Sequence, residues 1–185
     1  GPVSLRALAR ATAAHSTLTF ADTSSSRFAS GDGEGRVIAG PRKVEASRHD
    51  SPAGPGLLAV HDGYAREFGF EHERAVRLSS DGSRLVGADR LLPTAGRKKA
   101  GKSSLYALRF HLSPAVQARR TDDGASVALT LANGRSWRFS AGGLPVEVEP
   151  GISFAAAGGP RTAMQIVVQA NAAETPAISW TFEKI

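Results

Sequence analysis

The sequence predicts an all-β protein, a layered antiparallel β-sandwich with short helices at most. Three observations point there: apolar runs are short and many, turn residues separate them at close intervals, and several runs alternate apolar with polar side chains. Alternation is clearest in 84–91 (Arg-Leu-Val-Gly-Ala-Asp-Arg-Leu) and in 146–149 (Val-Glu-Val-Glu), where each strand has one buried and one wet face. With 20 glycines, 10 prolines, 41% hydrophobic and 22% charged residues, the composition suits one turn-rich domain over 1–185 with a real core.

In chain order, strands are expected at 16–20, 43–47, 57–61, 71–78, 84–91, 106–112, 116–119, 126–131, 136–140, 146–149, 164–169 and 178–182. Ser80-Asp81-Gly82-Ser83, Asp122-Asp123-Gly124 and Asn133-Gly134 sit between successive strands, and Asp-Gly and Asn-Gly supply the positive φ that tight hairpins need. Trp137 and Trp180 fall on late strands, where they either pack between sheets or stack on a sugar. Two segments, 30–36 and 94–104, lack apolar period and read as mobile loops. The second gathers Arg97, Lys98, Lys99 and Lys102, which serve either as a phosphate or sulfate contact or as a solvated tip.

Lys and Arg number 23 against 17 Asp and Glu, a formal charge of +6 that favours polyanions or simply keeps the surface solvated. Nucleic acid is not expected, because aromatic content is only 6% and no ribonucleoprotein-type motif accompanies the basic residues. Nor is a membrane, since no apolar stretch approaches the roughly 20 residues that span a bilayer and no signal peptide is visible at the start. The absence of cysteine excludes disulfides, thiolate nucleophiles and Cys-type zinc sites, so any metal would rest on histidines and carboxylates.

Five histidines, at 15, 49, 61, 72 and 111, are the groups that titrate near neutrality, and none has the spacing of a helical zinc motif. His15 directly precedes the strand 16–20, a rigid element that would hold a ligand or catalytic group in place. His61, Asp62 and Tyr64 bring imidazole, carboxylate and phenol within four residues, which either orient an acid or base or form a hydrogen-bonded turn. His72 and Arg74 share one strand face while Glu71 and Glu73 share the other, a pattern that a cross-strand ion-pair ladder explains. His111 reads as a half-buried histidine and His49 as a loop residue. No phosphate-binding loop, nucleophile elbow or strand-linked dinucleotide motif is present.

The stretches ARATAAHSTLTFADTSSSRF (9–28), HDGYAREFGFEHERAVRLSSDGSRLVGADRL (61–91) and LRFHLSPAV (108–116) come first, followed by a Trp-Arg-Phe strand at 137–139 and a closing RTAMQIVV at 161–168. In that order they resemble the C-terminal β-sheet domain of the heparinase II/III-like polysaccharide lyases. The resemblance covers nearly the whole chain and implies a supersandwich-like fold, an N-terminal α/α toroid absent from this sequence and supplied in cis or by another chain, and a cleft between the two for an acidic polysaccharide. It implies β-elimination, in which the uronate carboxylate is neutralised, a base takes the C5 proton and an acid protonates the leaving oxygen.

By the same resemblance His15 matches a histidine that helps bind a structural zinc, while the partner ligands of the H-x-H motif and an aspartate have no counterpart here. One histidine cannot hold zinc tightly, so zinc belongs to the full-length protein, or His15 simply caps a strand. No catalytic residue carries over, because the catalytic tyrosine and the charge-neutralising residue lie in the toroid. The implied function is therefore the β domain of a lyase acting on a heparin- or heparan-sulfate-like polymer, inactive alone, with a periplasmic location. His61, Tyr64 and Arg74 are the candidate substrate-binding residues, chosen from chemistry and position. The alternative is a non-catalytic carbohydrate- or polyanion-binding β module.

Overall fold

The computed structural model describes residues 5–29, 35–95, 104–154 and 159–185. Each of the twelve expected strands is present, with ends shifted by a few residues. The chain opens with a short helix α1 (Leu5–Arg10) and a 3-10 turn (Thr12–Ala14), then runs through β1 (Leu18–Phe20), β2 (Arg27–Phe28), β3 (Val37–Ala39), β4 (Val44–Ser51) and β5 (Gly54–His61). After the one-turn helix α2 (Ala65–Phe68) come β6 (Phe70–Leu78), β7 (Arg84–Pro93), β8 (Leu105–His111), β9 (Gln117–Arg120), β10 (Ser126–Thr130), β11 (Ser136–Ser140), β12 (Glu147–Ser153), β13 (Arg161–Asn171) and β14 (Ala177–Lys184). The glycines of the three anticipated hairpin turns, Gly82, Gly124 and Gly134, all take positive φ.

The strands form an eight-stranded sheet in the order β4-β5-β6-β7-β14-β11-β10-β9, a four-stranded sheet in the order β1-β8-β13-β12, and a β2-β3 ribbon. Two meanders make up the large sheet, and the last strand of the chain joins them by pairing with β7 on one side and β11 on the other. The core lies between the sheets. Leu18, Phe20, Leu108, Phe110, Ile166 and Val168 of the small sheet face Phe70, Leu91, Val127, Phe139, Ile178 and Trp180 of the large one. Trp180 is a core residue and the partly buried Trp137 packs against the core cluster, as the inter-sheet reading expects. The Trp180 ring lies flat over Gly87, where any Cβ would stand 2.2 Å from a ring carbon.

Two short elements were not anticipated. The β2-β3 ribbon is too brief to show a period, and the loop expected at 30–36 joins its strands: residues 30–34 lie outside the described residues, while Ala29 donates to the Arg36 carbonyl. Most of the loop expected at 94–104, including Arg97, Lys98, Lys99 and Lys102, also lies outside the described residues. His49 is a strand residue of β4, not a loop residue. That strand continues past the expected end because it pairs fully with β5, while every side chain along it is exposed. Charged residues such as Glu45, Arg48 and Asp50 protect this free edge.

Candidate functional site

His15 ends the 3-10 turn, with its amide donating to the Thr12 carbonyl at 3.1 Å, and its imidazole is exposed. Strand β1 begins only at Leu18, so it is hydrogen bonding to the loop that holds this histidine. On one side Thr12 is tied to Ser24 and Ser25, through Thr12 N–H to Ser24 Oγ at 3.1 Å and Ser25 N–H to Thr12 Oγ1 at 3.0 Å. On the other, His111 donates from Nε2 to the Ala13 carbonyl and from its amide to Ser16 Oγ, both at 2.9 Å. Arg74 adds a bond from Nη1 to the Ser16 carbonyl, so both sheets grip the segment that carries His15.

Arg74 belongs to a buried network that the register of the large sheet assembles. His61 and His72 are direct cross-strand partners, Arg74 and Asp89 are another such pair, and all four point into the space between the sheets. The Asp89 carboxylate has no exposed surface and accepts four bonds: His72 Nε2 at 2.6 Å and Arg74 Nε at 2.8 Å on Oδ1, Arg74 Nη2 at 3.0 Å and Trp180 Nε1 at 2.7 Å on Oδ2. Burial alone would raise the pKa of Asp89, but the His72 hydrogen bond and the Arg74 charge outweigh it and hold the carboxyl below its ordinary value. The guanidinium also lies over the Phe110 and Trp180 rings, 5.8 and 5.7 Å from their centres.

The partners fix the tautomers. Gly63 N–H donates to His61 Nδ1 at 3.1 Å, so that nitrogen is an acceptor and the ring proton sits on Nε2. His61 Nε2 then donates to His72 Nδ1 at 3.2 Å, which leaves the His72 proton on Nε2, facing Asp89. Every proton in the relay is committed. Burial first, and then the neighbouring His72, push the His61 imidazole down to about 4, so it stays neutral near neutrality. Asp62 does not bond to His61; it accepts the Arg42 and Lys43 amides at 2.8 and 3.0 Å and closes the start of β4.

Tyr64 is part of the core. Its hydroxyl donates to the Leu18 carbonyl at 2.9 Å and lies 3.3 Å from the Thr23 carbonyl, covering the open edge of β1. Burial raises its pKa. His61, Tyr64 and Arg74 thus come together, with the His61 and Tyr64 rings 5.8 Å apart; Tyr64 is buried, while His61 and Arg74 are half-buried. Sequence reasoning passed over Asp89, although a signal was there: Leu85, Gly87, Asp89 and Leu91 share one strand face, on which Asp89 is the only charge.

Two cavities lie elsewhere. One of about 430 Å³ opens on the large sheet and is mostly apolar, lined by Leu57, Val76, Gly87 and Trp180 among others, with Leu57 49% exposed. The other, about 350 Å³, lies on the outer face of the small sheet among Thr19, Asp22, Leu105, Ala107, Arg109 and Gln169. Thr19 and Arg109 went unremarked in the sequence, though each is a polar residue between two core residues of its strand. Beside them Ala21 and Asp22 both have positive φ, 48° and 53°, in the tight turn from Phe20 to Thr23. The left-handed region costs a non-glycine residue about 1–2 kcal/mol. Among the described residues no three His, Asp or Glu side chains group to hold a metal ion.

A family model described as heparinase II/III-like, C-terminal, matches residues 1–181. The chain belongs to this family. In heparinase-like enzymes the domain is the C-terminal part, beside a separate N-terminal domain, and its presence here fits a polysaccharide lyase domain. The fold agrees with solved structures. Heparan sulfate lyase HepC from Pedobacter heparinus matches with a TM-score of 0.71 at 14% identity, over 97% of this chain and 25% of that one. Heparinase III matches with a TM-score of 0.65 at 17% identity, over 100% of this chain and 26% of that one. A curated relative, FtsZ-localized protein C of Caulobacter vibrioides (strain NA1000 / CB15N), is 35% identical over 149 residues, which are 76% of this chain and 26% of that protein. The heparinase II/III-like domain spans about a quarter of the length of each.

Proposed function

We propose that this heparinase II/III-like domain is the supporting β domain of a polysaccharide lyase. The full-length protein cleaves an anionic, uronate-containing polymer of the heparin or heparan sulfate type by β-elimination, and the isolated domain is inactive. One observation carries the reading beyond family membership: the His61-His72-Asp89 relay has its protons committed to hydrogen bonds within the domain, with His72 and Asp89 buried, so the acid and base must come from outside it. What the network does is hold the loop of His15, whose exposed imidazole is free to complete a site shared with another domain. His61, Tyr64 and Arg74 then serve substrate binding from behind the surface. Zinc, in this proposal, takes His15 as one ligand of a set completed by residues of the full-length protein. A formal charge of +6 suits a polymer of fixed negative charge, and the periplasm is the proposed location.

The test is to express the full-length protein and the 1–185 chain and follow the ultraviolet absorbance of unsaturated uronate ends on heparan sulfate and other uronate polymers. Product from the full-length protein and none from the domain is expected. A folded full-length protein that yields no product on any uronate polymer sinks the proposal.

A second reading is a non-catalytic carbohydrate- or polyanion-binding module. It is favoured by the relative named for its localisation with FtsZ, whose 35% identity exceeds the 14% and 17% seen with the two lyases. It predicts salt-sensitive binding of the isolated domain to heparin, weakened by neutralising Lys98, Lys99 and Lys102, and co-localisation of the full-length protein with FtsZ in cells. Binding unchanged by those substitutions counts against it.

A further inference from the structure

The polar cavity on the outer face of the small sheet has no part in the buried network. Its floor is a cross-strand row, Thr19 on β1, Ala107 on β8 and Gln169 on β13, in which the small central residue leaves a hollow between two polar neighbours. Arg109, 16% exposed, closes one side, and its Nη1 donates to Thr19 Oγ1, a hydroxyl that is itself buried and lies 3.5 Å from the Ala107 carbonyl. Its Nη2 is 3.7 Å from Asp22, too far for a hydrogen bond, so it retains donor capacity toward the hollow. Asp22 stands at the rim, 92% exposed, on the turn where two successive non-glycine residues take positive φ. Strain of this kind gathers at ligand-holding positions.

This set has a definite chemistry. A fixed guanidinium donates, a carboxylate accepts, a side-chain amide does both, and Leu105 supplies an apolar wall. The carboxylate at the rim opposes anions and so excludes a sulfate or uronate carboxylate as the preferred occupant. Adjacent hydroxyls of a sugar ring, each able to donate and accept, match the donors and acceptors, and about 350 Å³ falls within the roughly 300–1,000 Å³ of small-molecule sites. We infer that the outer face of the four-stranded sheet, at Asp22, Arg109 and Gln169, binds an uncharged sugar unit through its vicinal hydroxyls. The inference rests on the carbohydrate part of the proposed function and adds a contact that the anionic groups of the polymer do not make.

The experiment is an NMR titration of the ¹⁵N-labelled chain with cellobiose and with N,N′-diacetylchitobiose, both uncharged, at high salt. Saturable shifts are expected at the Gln169 side-chain amide and at the backbone amides of Ala21, Asp22 and Ala107. Asp22→Gly and Gln169→Ala should each weaken binding by about tenfold, the scale of one lost hydrogen bond to a charged or well-placed group. Because glycine tolerates the left-handed turn, Asp22→Gly should melt no lower than the parent, which separates lost binding from lost folding. No saturable shift with either sugar, or equal affinity in both variants, overturns the site. Shifts with heparin fragments alone, abolished by salt, overturn it too while leaving the anionic reading intact. Saturable binding of a neutral sugar alongside a full-length protein inert on every uronate polymer upholds the site and removes the lyase proposal.

Discussion

Replacing Asp89 by asparagine tests the physical account of the buried network most directly. The side chain keeps its shape, but one of two acceptor oxygens becomes an NH₂, so two of the four donors now facing the carboxylate meet another donor. Either His72 Nε2 and Arg74 Nε, or Arg74 Nη2 and Trp180 Nε1, lose their partner. Arg74, only 19% exposed, also loses its counter-charge. Breaking one side of a buried ion pair costs about 3–5 kcal/mol, and a buried donor left unpaired about 1–3 kcal/mol, terms that overlap here, so a loss of about 4 kcal/mol is expected. In a chain of this size that lowers Tm by roughly 8–16 °C. Urea and thermal unfolding followed by circular dichroism measure it. Hydrogen exchange adds a local readout, because loosening Arg74 frees the Ser16 carbonyl and should speed exchange at the amides around His15. The double substitution Asp89→Leu with Arg74→Met should recover only the part of the loss that comes from the unpaired charge, since it removes both charges together but still leaves His72 Nε2 and Trp180 Nε1 without an acceptor. A cost for Asp89→Asn below about 1 kcal/mol refutes the reasoning, because the carboxylate would then not be the hub that its four bonds make it.

Stability should also depend on pH through His61. Its imidazole is lowered to about 4 in the fold against an ordinary value of 6.5, so the unfolded chain takes the proton first as pH falls. The stabilisation is therefore complete above about pH 6.5 and is lost on descending toward 4; discounted for partial exposure, it amounts to about 2 kcal/mol. The groups facing it are His72 and Asp62, and His61→Gln should flatten the slope of unfolding free energy across that window; an unchanged slope contradicts the assignment. Gly87→Ala puts a methyl group 2.2 Å from the Trp180 ring and should destabilise by about 2–3 kcal/mol in urea unfolding, with a changed tryptophan emission spectrum. Tyr64→Phe leaves the Leu18 carbonyl without its donor and should cost about 1–2 kcal/mol, with faster exchange along β1 as the accompanying sign.

Much of this architecture follows from local chemistry. Asp-Gly and Asn-Gly turns close their hairpins whatever surrounds them, because positive φ is a property of two or three residues. The alternation in 84–91 assigns Leu85, Gly87, Asp89 and Leu91 to one face before any partner is known. The resemblance at 9–28 and 61–91 reached the family. Burial escaped that reading. His61, Tyr64 and Arg74 carry reactive groups on strand ends and turns, and their chemistry was legible, but whether the face they share meets solvent or another sheet depends on which strands cover it.

The order of chain elements and the choice of residue types determined a sheet protein with these turns and these two-faced strands, since each rests on interactions within a few residues. Tertiary structure decided the rest. Register placed His61 opposite His72 and Arg74 opposite Asp89, turning a set that resembles catalytic chemistry into a hydrogen-bonded strut. The same packing left Thr19, Asp22 and Arg109, from β1, its turn and β8, around an open hollow. Groups 90 residues apart meet there only because the sheet pairs them, and no local pattern encodes that meeting.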